Sequence, residues 1–155
     1  MLFLLFQIGR ERYALETANI LEVVPLLTVK QLPGAPPGVA GIINYRGRPV
    51  PVLDLSEVLA GRVAEARFST RIVMVRMQDE HRGTQCLGLI VENATSVLQQ
   101  RAESFVNPGV NLLAAPYLGP VLMDERGSIQ WIHEQRLLPD VVKERLFSTE
   151  LEGVR

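Results

Sequence analysis

Ile43-Asn44-Tyr45-Arg46-Gly47-Arg48-Pro49-Val50-Pro51-Val52-Leu53-Asp54-Leu55 sets two apolar runs on either side of a polar turn. That pattern reads as a β-hairpin, with Gly47 supplying the positive φ the turn requires. Pro49 and Pro51 are two apart, so both missing N–H groups fall on one side of the second strand. Such a strand is expected at a sheet edge, or at the start of its pairing on that side. Asp54 ends the strand and is placed to cap a helix expected over residues 56–59. Arg46 stands at the turn. Either it is a solvated turn arginine, or its planar, permanently charged fork orders a nearby carboxylate such as Glu22, or it reaches a partner.

Working outward, short apolar runs separated by turns extend from residue 2 to residue 132, so the chain is expected to be mainly β. Towards the N-terminus, strands are predicted over 2–8 and 12–15 around Gly9-Arg10-Glu11, then one helical turn over 16–19 and a strand over 20–27. Residues 33–38 are rich in Pro and Gly and read as a loop; a strand over 39–44 leads into the hairpin turn. Residues 61–69 are polar and are expected to form the seam between two lobes. Beyond them the order repeats: strands over 71–77 and 84–91, then 95–99, 116–123 and 128–132, with a short helix through Leu138. A displacement of 74 carries Ala14, Leu15, Ile20 and Val23 onto Gly88, Leu89, Ala94 and Val97. One of 79 carries Leu53, Asp54, Val58 and Leu59 onto Ile132, His133, Leu137 and Leu138. This faint repetition suggests two related lobes. Many short strands indicate a sandwich or barrel, and two small barrels of about five strands each fit the repeat. Residues 139–151 carry Val141, Val142, Arg145 and Leu146 at helical spacing, which predicts a C-terminal amphipathic helix. The whole is expected as one domain over residues 1–155.

Composition excludes several kinds of chemistry. The 155 residues carry 16 basic and 17 acidic side chains, for a formal charge of −1. The arginines are spread along the chain rather than gathered in a stripe, so nucleic-acid binding is not expected. Lysine occurs only at Lys30 and Lys143, neither behind a glycine loop, so a Walker-type phosphate cradle is not expected. His81 and His133 are far apart with no partner at metal-ligand spacing, and no nucleophile–base set stands out. Neither cofactor nor catalysis is expected. Cys86 lies in an apolar run and reads as a small core residue. No run approaches the ~18 apolar residues of a membrane helix, and the N-terminal run lacks the basic and small-residue flanks of a signal peptide.

Three further groups are candidates for function. Alternation puts Ile20, Glu22 and Val24 on one face of their strand and Leu21 and Val23 on the other. Glu22 either keeps its face soluble or directs a partly apolar face onto another protein. Gly41, Gly88 and Gly119 precede apolar strands, where they permit close approach by a partner or mark bulges and turns. Trp131 reads as core.

The stretch from Gly41 to Leu55 resembles the signature of CheW-type coupling proteins, an Asn-Leu-Arg-Gly turn followed by a Pro-Val-x-Asp-Leu strand. The resemblance extends to the opening hairpin (3–13), to Ile20-Leu21-Glu22-Val23, to Gly88-Leu89-Ile90-Val91-Glu92 and to the closing hairpin (116–138). It implies a fold of two five-stranded β-barrel lobes and a noncatalytic cytoplasmic adaptor. Such an adaptor links the signalling tip of methyl-accepting chemoreceptors to the regulatory domain of a CheA-type histidine kinase, and contacts other CheW-like proteins in arrays. Carried over by position, the protein-binding residues are Ile20, Glu22, Gly41, Arg46, Gly88, Val97 and Gly119, with Glu22 and Arg46 paired. Tyr45 stands in place of the usual leucine, Glu92 of an aspartate, Ala94 of a valine, and His133 where aspartate is common. These departures suit an accessory chemosensory pathway, such as a Wsp-like surface-sensing one. The alternative is a small β-barrel that binds a ligand or single-stranded nucleic acid, for which stacking aromatics are needed on neighbouring strands; the chain has nine aromatics.

Overall fold

Continuous apolar runs mark the centre of the molecule. In the computed structural model, which describes residues 1–109 and 114–147, Arg71–Asp79 and Gly83–Val91 pair antiparallel over their full length. Val73, Val75, Met77, Leu87 and Leu89 point to one side of this hairpin, and Ile72, Met74 and Ile90 to the other. Strands covered on both faces have no need of polar alternation.

The described strands are β1 (Leu2–Ile8), β2 (Glu11–Glu16), β3 (Ile20–Pro25), β4 (Val39–Tyr45), β5 (Arg48–Asp54), β6 (Arg71–Asp79), β7 (Gly83–Val91), β8 (Ser96–Gln99), β9 (Leu118–Asp124) and β10 (Gly127–Ile132), with helices α1 (Leu55–Ala60) and α2 (Asp140–Leu146). The mainly β expectation holds, in two five-stranded sheets. The first has the order β8-β1-β2-β10-β9 and the second β3-β6-β7-β5-β4. The turn expected over 16–19 is a 3-10 turn at Thr17–Asn19, and the helix expected through Leu138 is a 3-10 turn at Glu134–Arg136. The strand expected over 20–27 stops at Pro25. Of the C-terminal helix expected over 139–151, residues 148–151 lie outside the described residues.

The expected seam needs correction. Residues 61–69 join β5 to β6, and both belong to the second sheet. They separate the two sequence repeats, but the repeats are not the lobes. Each half gives its first hairpin to one sheet and its last three strands to the other, so the chain changes sheet between β2 and β3 and again between β7 and β8. Replacing each strand of the second sheet by its counterpart five strands away reproduces the order of the first. The two parallel pairs correspond as well: Val52 faces Gly88 in the second sheet, and Trp131 faces Ala14 in the first. These are the same pair under the displacements of 79 and 74.

Three cores follow. Between the sheets lie Leu4, Phe6, Ile8 and Leu15 from the first and Leu53, Val73, Val75, Leu87 and Leu89 from the second, with Leu137, Leu138 and Phe147 at the margin. Inside the second sheet are Ile43, Val50, Val52, Ile72, Met74 and Ile90, with Cys86 half-buried beside them. Inside the first are Phe3, Ala14, Phe105, Leu122 and Ile129, with Trp131 packed on Phe3 and Phe105. Each large side chain so buried contributes about 1.5–3 kcal/mol.

Both sheets curl so that their outer strands meet. Lys30, just beyond β3, exchanges two backbone hydrogen bonds with Ile42 of β4, at 2.8 and 2.9 Å. Val106, beyond β8, does the same with Val121 of β9, also at 2.8 and 2.9 Å. The Pro49–Pro51 expectation is met through its second form. β5 pairs with β7 only from Val52 to Asp54, so both prolines precede the shared stretch.

Candidate protein-interaction site

The β4–β5 hairpin turns through two residues, Arg46 and Gly47, with φ of 53° and 80°, and Tyr45 faces Arg48 across it. Two positive φ values give the turn the twist that matches a hairpin. Arg46 takes the left-handed conformation at a cost of roughly 1–2 kcal/mol. Asn44 Oδ1 accepts the Gly47 N–H at 2.9 Å, and the Arg46 side chain finds its own partner across the sheet.

That partner is Glu22. Glu22 lies on β3 and Arg46 at the end of β4, strands at opposite edges of the second sheet, and only the curl brings them together. Arg46 Nη2 donates to Glu22 Oε1 at 2.8 Å, and the Tyr45 hydroxyl donates to the same oxygen at 2.6 Å. The Arg46 side chain is 74% exposed and that of Glu22 38%. The Tyr45 hydroxyl, assisted by the Arg46 charge, holds the Glu22 carboxyl below its usual range. The Tyr45 phenol is in turn raised, chiefly by its bond to Glu22. Of the readings of Arg46, the geometry shows the one in which it orders a carboxylate. The edge strand β3 turns Leu21 and Val23 outward, 45% and 42% exposed, while Ile20, Glu22 and Val24 are half-covered.

The other candidates divide between the sheets. Ile20 packs against the core between the sheets. Gly41 sits at the β4 bulge with φ 148°, and a Cβ there would lie 1.9 Å from the Lys30 carbonyl oxygen. Its close approach is to the chain's own backbone, and it permits the sheet to curl. Gly88 is buried inside the second sheet, where a Cβ would meet Ile72 at 3.0 Å and Val52 at 3.2 Å. Gly119, on β9, would bring a Cβ to 2.6 Å from His133 Nε2. All three glycines thus answer to neighbours within the fold. Val97 stands on β8, the first sheet's counterpart of β3, and is 60% exposed. Glu22, Arg46 and Gly41 all belong to the second sheet, but only Glu22 and Arg46 are brought together there, whereas Val97 and Gly119 belong to the first.

Two arrangements were not anticipated. The Tyr45 hydroxyl is one; its signal was a phenol beside a turn arginine. The other fastens residues 61–69 onto the second sheet. Buried Glu92 accepts from Ser56 Oγ at 2.6 Å, from Arg62 Nη1 at 2.9 Å and from the Glu65 N–H at 3.1 Å. Burial opposes its charge, but these donors outweigh burial and lower the carboxyl's pKa. Asp54 caps α1 through the Ser56 and Glu57 N–H groups and also binds the Ala64 N–H at 2.9 Å; burial raises its pKa despite those bonds. A lone acid after an apolar strand was the only sequence signal for either anchor.

Comparison with known proteins bears on this geometry. The family model described as CheW-like domain matches residues 2–142. A chemotaxis protein CheW from Helicobacter pylori is 30% identical over 97 residues, 63% of this chain and 56% of that one. One from Treponema pallidum is 27% identical over 111 residues, 66% of this chain and 60% of that one. The chain thus matches somewhat over half the length of these curated relatives. Protein FrzA from Myxococcus xanthus is 35% identical over 69 residues, 44% of this chain and 42% of that one. The crystal structure of the scaffolding protein TtCheW from Thermoanaerobacter tengcongensis superposes with a TM-score of 0.75, covering 90% of this chain and 89% of that one at 24% identity, a likeness of fold. No helix among the described residues is long and apolar enough to cross a membrane.

Proposed function

The chain belongs to the CheW-like domain family, and from that premise we propose that it is a noncatalytic coupling protein of a bacterial chemosensory complex. It joins the signalling tip of a methyl-accepting chemoreceptor to the regulatory domain of a CheA-type histidine kinase, in the cytoplasm beneath the receptor array. The observation that carries the reading is the exposed Glu22–Tyr45–Arg46 cluster at the mouth of the second sheet. It combines an oriented charge pair with a half-exposed edge strand, the mixture of polar direction and apolar area that suits a reversible protein contact. Two related edge strands, β3 with Val23 and β8 with Val97, support docking to two related surfaces, including those of other CheW-like proteins. The interiors of both sheets are filled by side chains; Phe3 and Phe105 are buried inside the first sheet and Phe6 between the two sheets. Those rings are used as core, which weighs against a stacking platform for single strands.

The test is direct binding of the full chain to a receptor tip fragment and to a kinase regulatory domain encoded in the same genome. Binding at micromolar strength, roughly −8 kcal/mol, is expected of an adaptor that exchanges partners. Failure to bind both would remove the reading. Arg46→Glu is expected to weaken tip binding by about 10-fold or more while leaving the thermal midpoint within a few degrees, because the side chain is exposed.

A further inference from the structure

Leucine at position 45, as in the signature noted above, offers only packing. Tyr45 does more: its ring packs against the core of the second sheet, and its hydroxyl donates to Glu22 Oε1 at 2.6 Å. Arg46 Nη2 donates to that same oxygen at 2.8 Å. The Arg46 guanidinium carbon lies 5.3 Å from the centre of the Tyr45 ring, within the range in which a cation is drawn to an aromatic face. One carboxylate oxygen therefore receives two donors, one from a half-buried ring and one from an exposed, flexible side chain.

The two donors are not equivalent. An exposed ion pair alone contributes little, because water screens it and it loses side-chain freedom in forming. A short hydrogen bond from a phenol to a charged carboxylate is stronger, and the Tyr45 ring is already fixed by packing. Among the described residues, Arg46 makes no side-chain hydrogen bond besides the one to Glu22, so its remaining N–H donors face outward. Arg48 is exposed across the turn. The tip therefore presents two arginines against one carboxylate that is already engaged, a surface suited to an acidic partner segment.

We propose that Tyr45 is a positioning residue: it clamps Glu22 to the second sheet and supports the Arg46 guanidinium, so that Arg46 meets a carboxylate of the receptor tip in a fixed orientation. The identity of the partner rests on the coupling reading above; the clamp itself does not. Position 45 then sets which tips this chain accepts, because a leucine there leaves Glu22 held by Arg46 alone.

Two measurements on the 155-residue chain test this. In the first, the Glu22 carboxyl is titrated by carbon NMR in the wild type and in Tyr45→Phe, which removes only the hydroxyl. Glu22 is expected to titrate higher in the variant, nearer an ordinary glutamate; an unchanged titration overturns the clamp. In the second, affinity is measured for a receptor tip fragment from the same genome, and for the same fragment with its surface Asp and Glu exchanged for Asn and Gln. Tyr45→Phe is expected to bind the acidic fragment about 5-fold more weakly and to match the wild type on the amide fragment. A moved titration with unchanged affinity overturns the positioning role. If the wild type binds no tip, the coupling reading falls and the role towards the tip with it, while the titration still decides whether Tyr45 clamps Glu22.

Discussion

The two sheets share one strand order and differ at their hairpin tips. In the second sheet the β4–β5 tip is tied across to the opposite edge strand through Glu22, Tyr45 and Arg46, and the charged partners stay exposed. In the first, the β9–β10 tip is tied within the sheet. Arg12 of β2 grips Asp124 with two hydrogen bonds, at 2.9 and 2.5 Å, and the Arg12 side chain is largely covered. Beyond the tips, Asp54 caps a helix of six residues, while its counterpart His133 makes no side-chain cap and is followed by a single 3-10 turn. A duplicated backbone has kept its pairing scheme and its packed interiors. The tips have diverged: one is tied by a covered arginine of its neighbouring strand, and the other carries an exposed arginine tied to the opposite edge strand.

The sharpest way to break the comparison is at the two bulge-side glycines. Gly41→Ala is expected to cost about 3 kcal/mol or more, since its Cβ would strike a backbone carbonyl at a positive φ. Gly119→Ala is expected to cost less, about 2 kcal/mol, because its Cβ would meet the His133 ring, which can turn, and the Trp131 carbonyl oxygen only at 2.9 Å, without a positive φ. Urea unfolding of both variants would measure this, and equal costs would deny the second sheet its stricter closure. Next, Asp54→Ala is expected to lose about 2–3 kcal/mol, a cap plus the unpaired Ala64 N–H, against about 1 kcal/mol for His133→Ala. Parity between them in the same assay would mean that the cap is idle.

A smaller effect concerns the position where Gly88 and Ala14 correspond. Gly88→Ala overpacks Ile72 and Val52 and is expected to cost about 1–2 kcal/mol. Ala14→Gly, in a strand interior of the first sheet, is expected to cost about 1 kcal/mol. A stabilising Gly88→Ala would show that the second interior has room to spare. The smallest effect is electrostatic. Arg12 holds Asp124 down to about 2. A carboxyl lowered in the folded state adds stability that is present above its unfolded pKa, near 3.9, and is lost as pH falls through the folded value. The wild type is therefore expected to lose stability between pH of about 4 and 2 relative to Arg12→Gln. Melting curves that run parallel across that window would remove the tie.

Much of the fold was legible because its signals are local. The hairpin at Gly47, the turn after β1 and the apolar runs of β6 and β7 follow from residue types and spacing. The repeat was visible too, down to the displacements that pair Ala14 with Gly88 and Leu53 with Ile132. The assignment of strands to lobes was not legible. Nothing in residues 61–69 tells that β5 and β6 share a sheet, since that depends on which hairpin packs beside which across the core. The site was half-legible. Glu22 and Arg46 stood out as a charge in an apolar strand and a turn arginine, but Tyr45 stood only as a departure from the usual leucine, and Gly41, Gly88 and Gly119 left close approach by a partner and internal bulges equally open.

The sequence by itself determined where strands form, where they turn and which residues repeat, because side-chain alternation, proline and glycine act on their own stretch of chain. It also placed a carboxylate and an arginine where a partner surface is expected. Only the tertiary structure decided that the two halves exchange hairpins, and that the outer strands of each sheet meet through Lys30 and Val106. It alone turned residues 24 positions apart, Glu22 and Arg46, into one cluster under a tyrosine. These outcomes come from long-range pairing and shared cores, whose free energy depends on all the contacting segments together and is written in none of them alone.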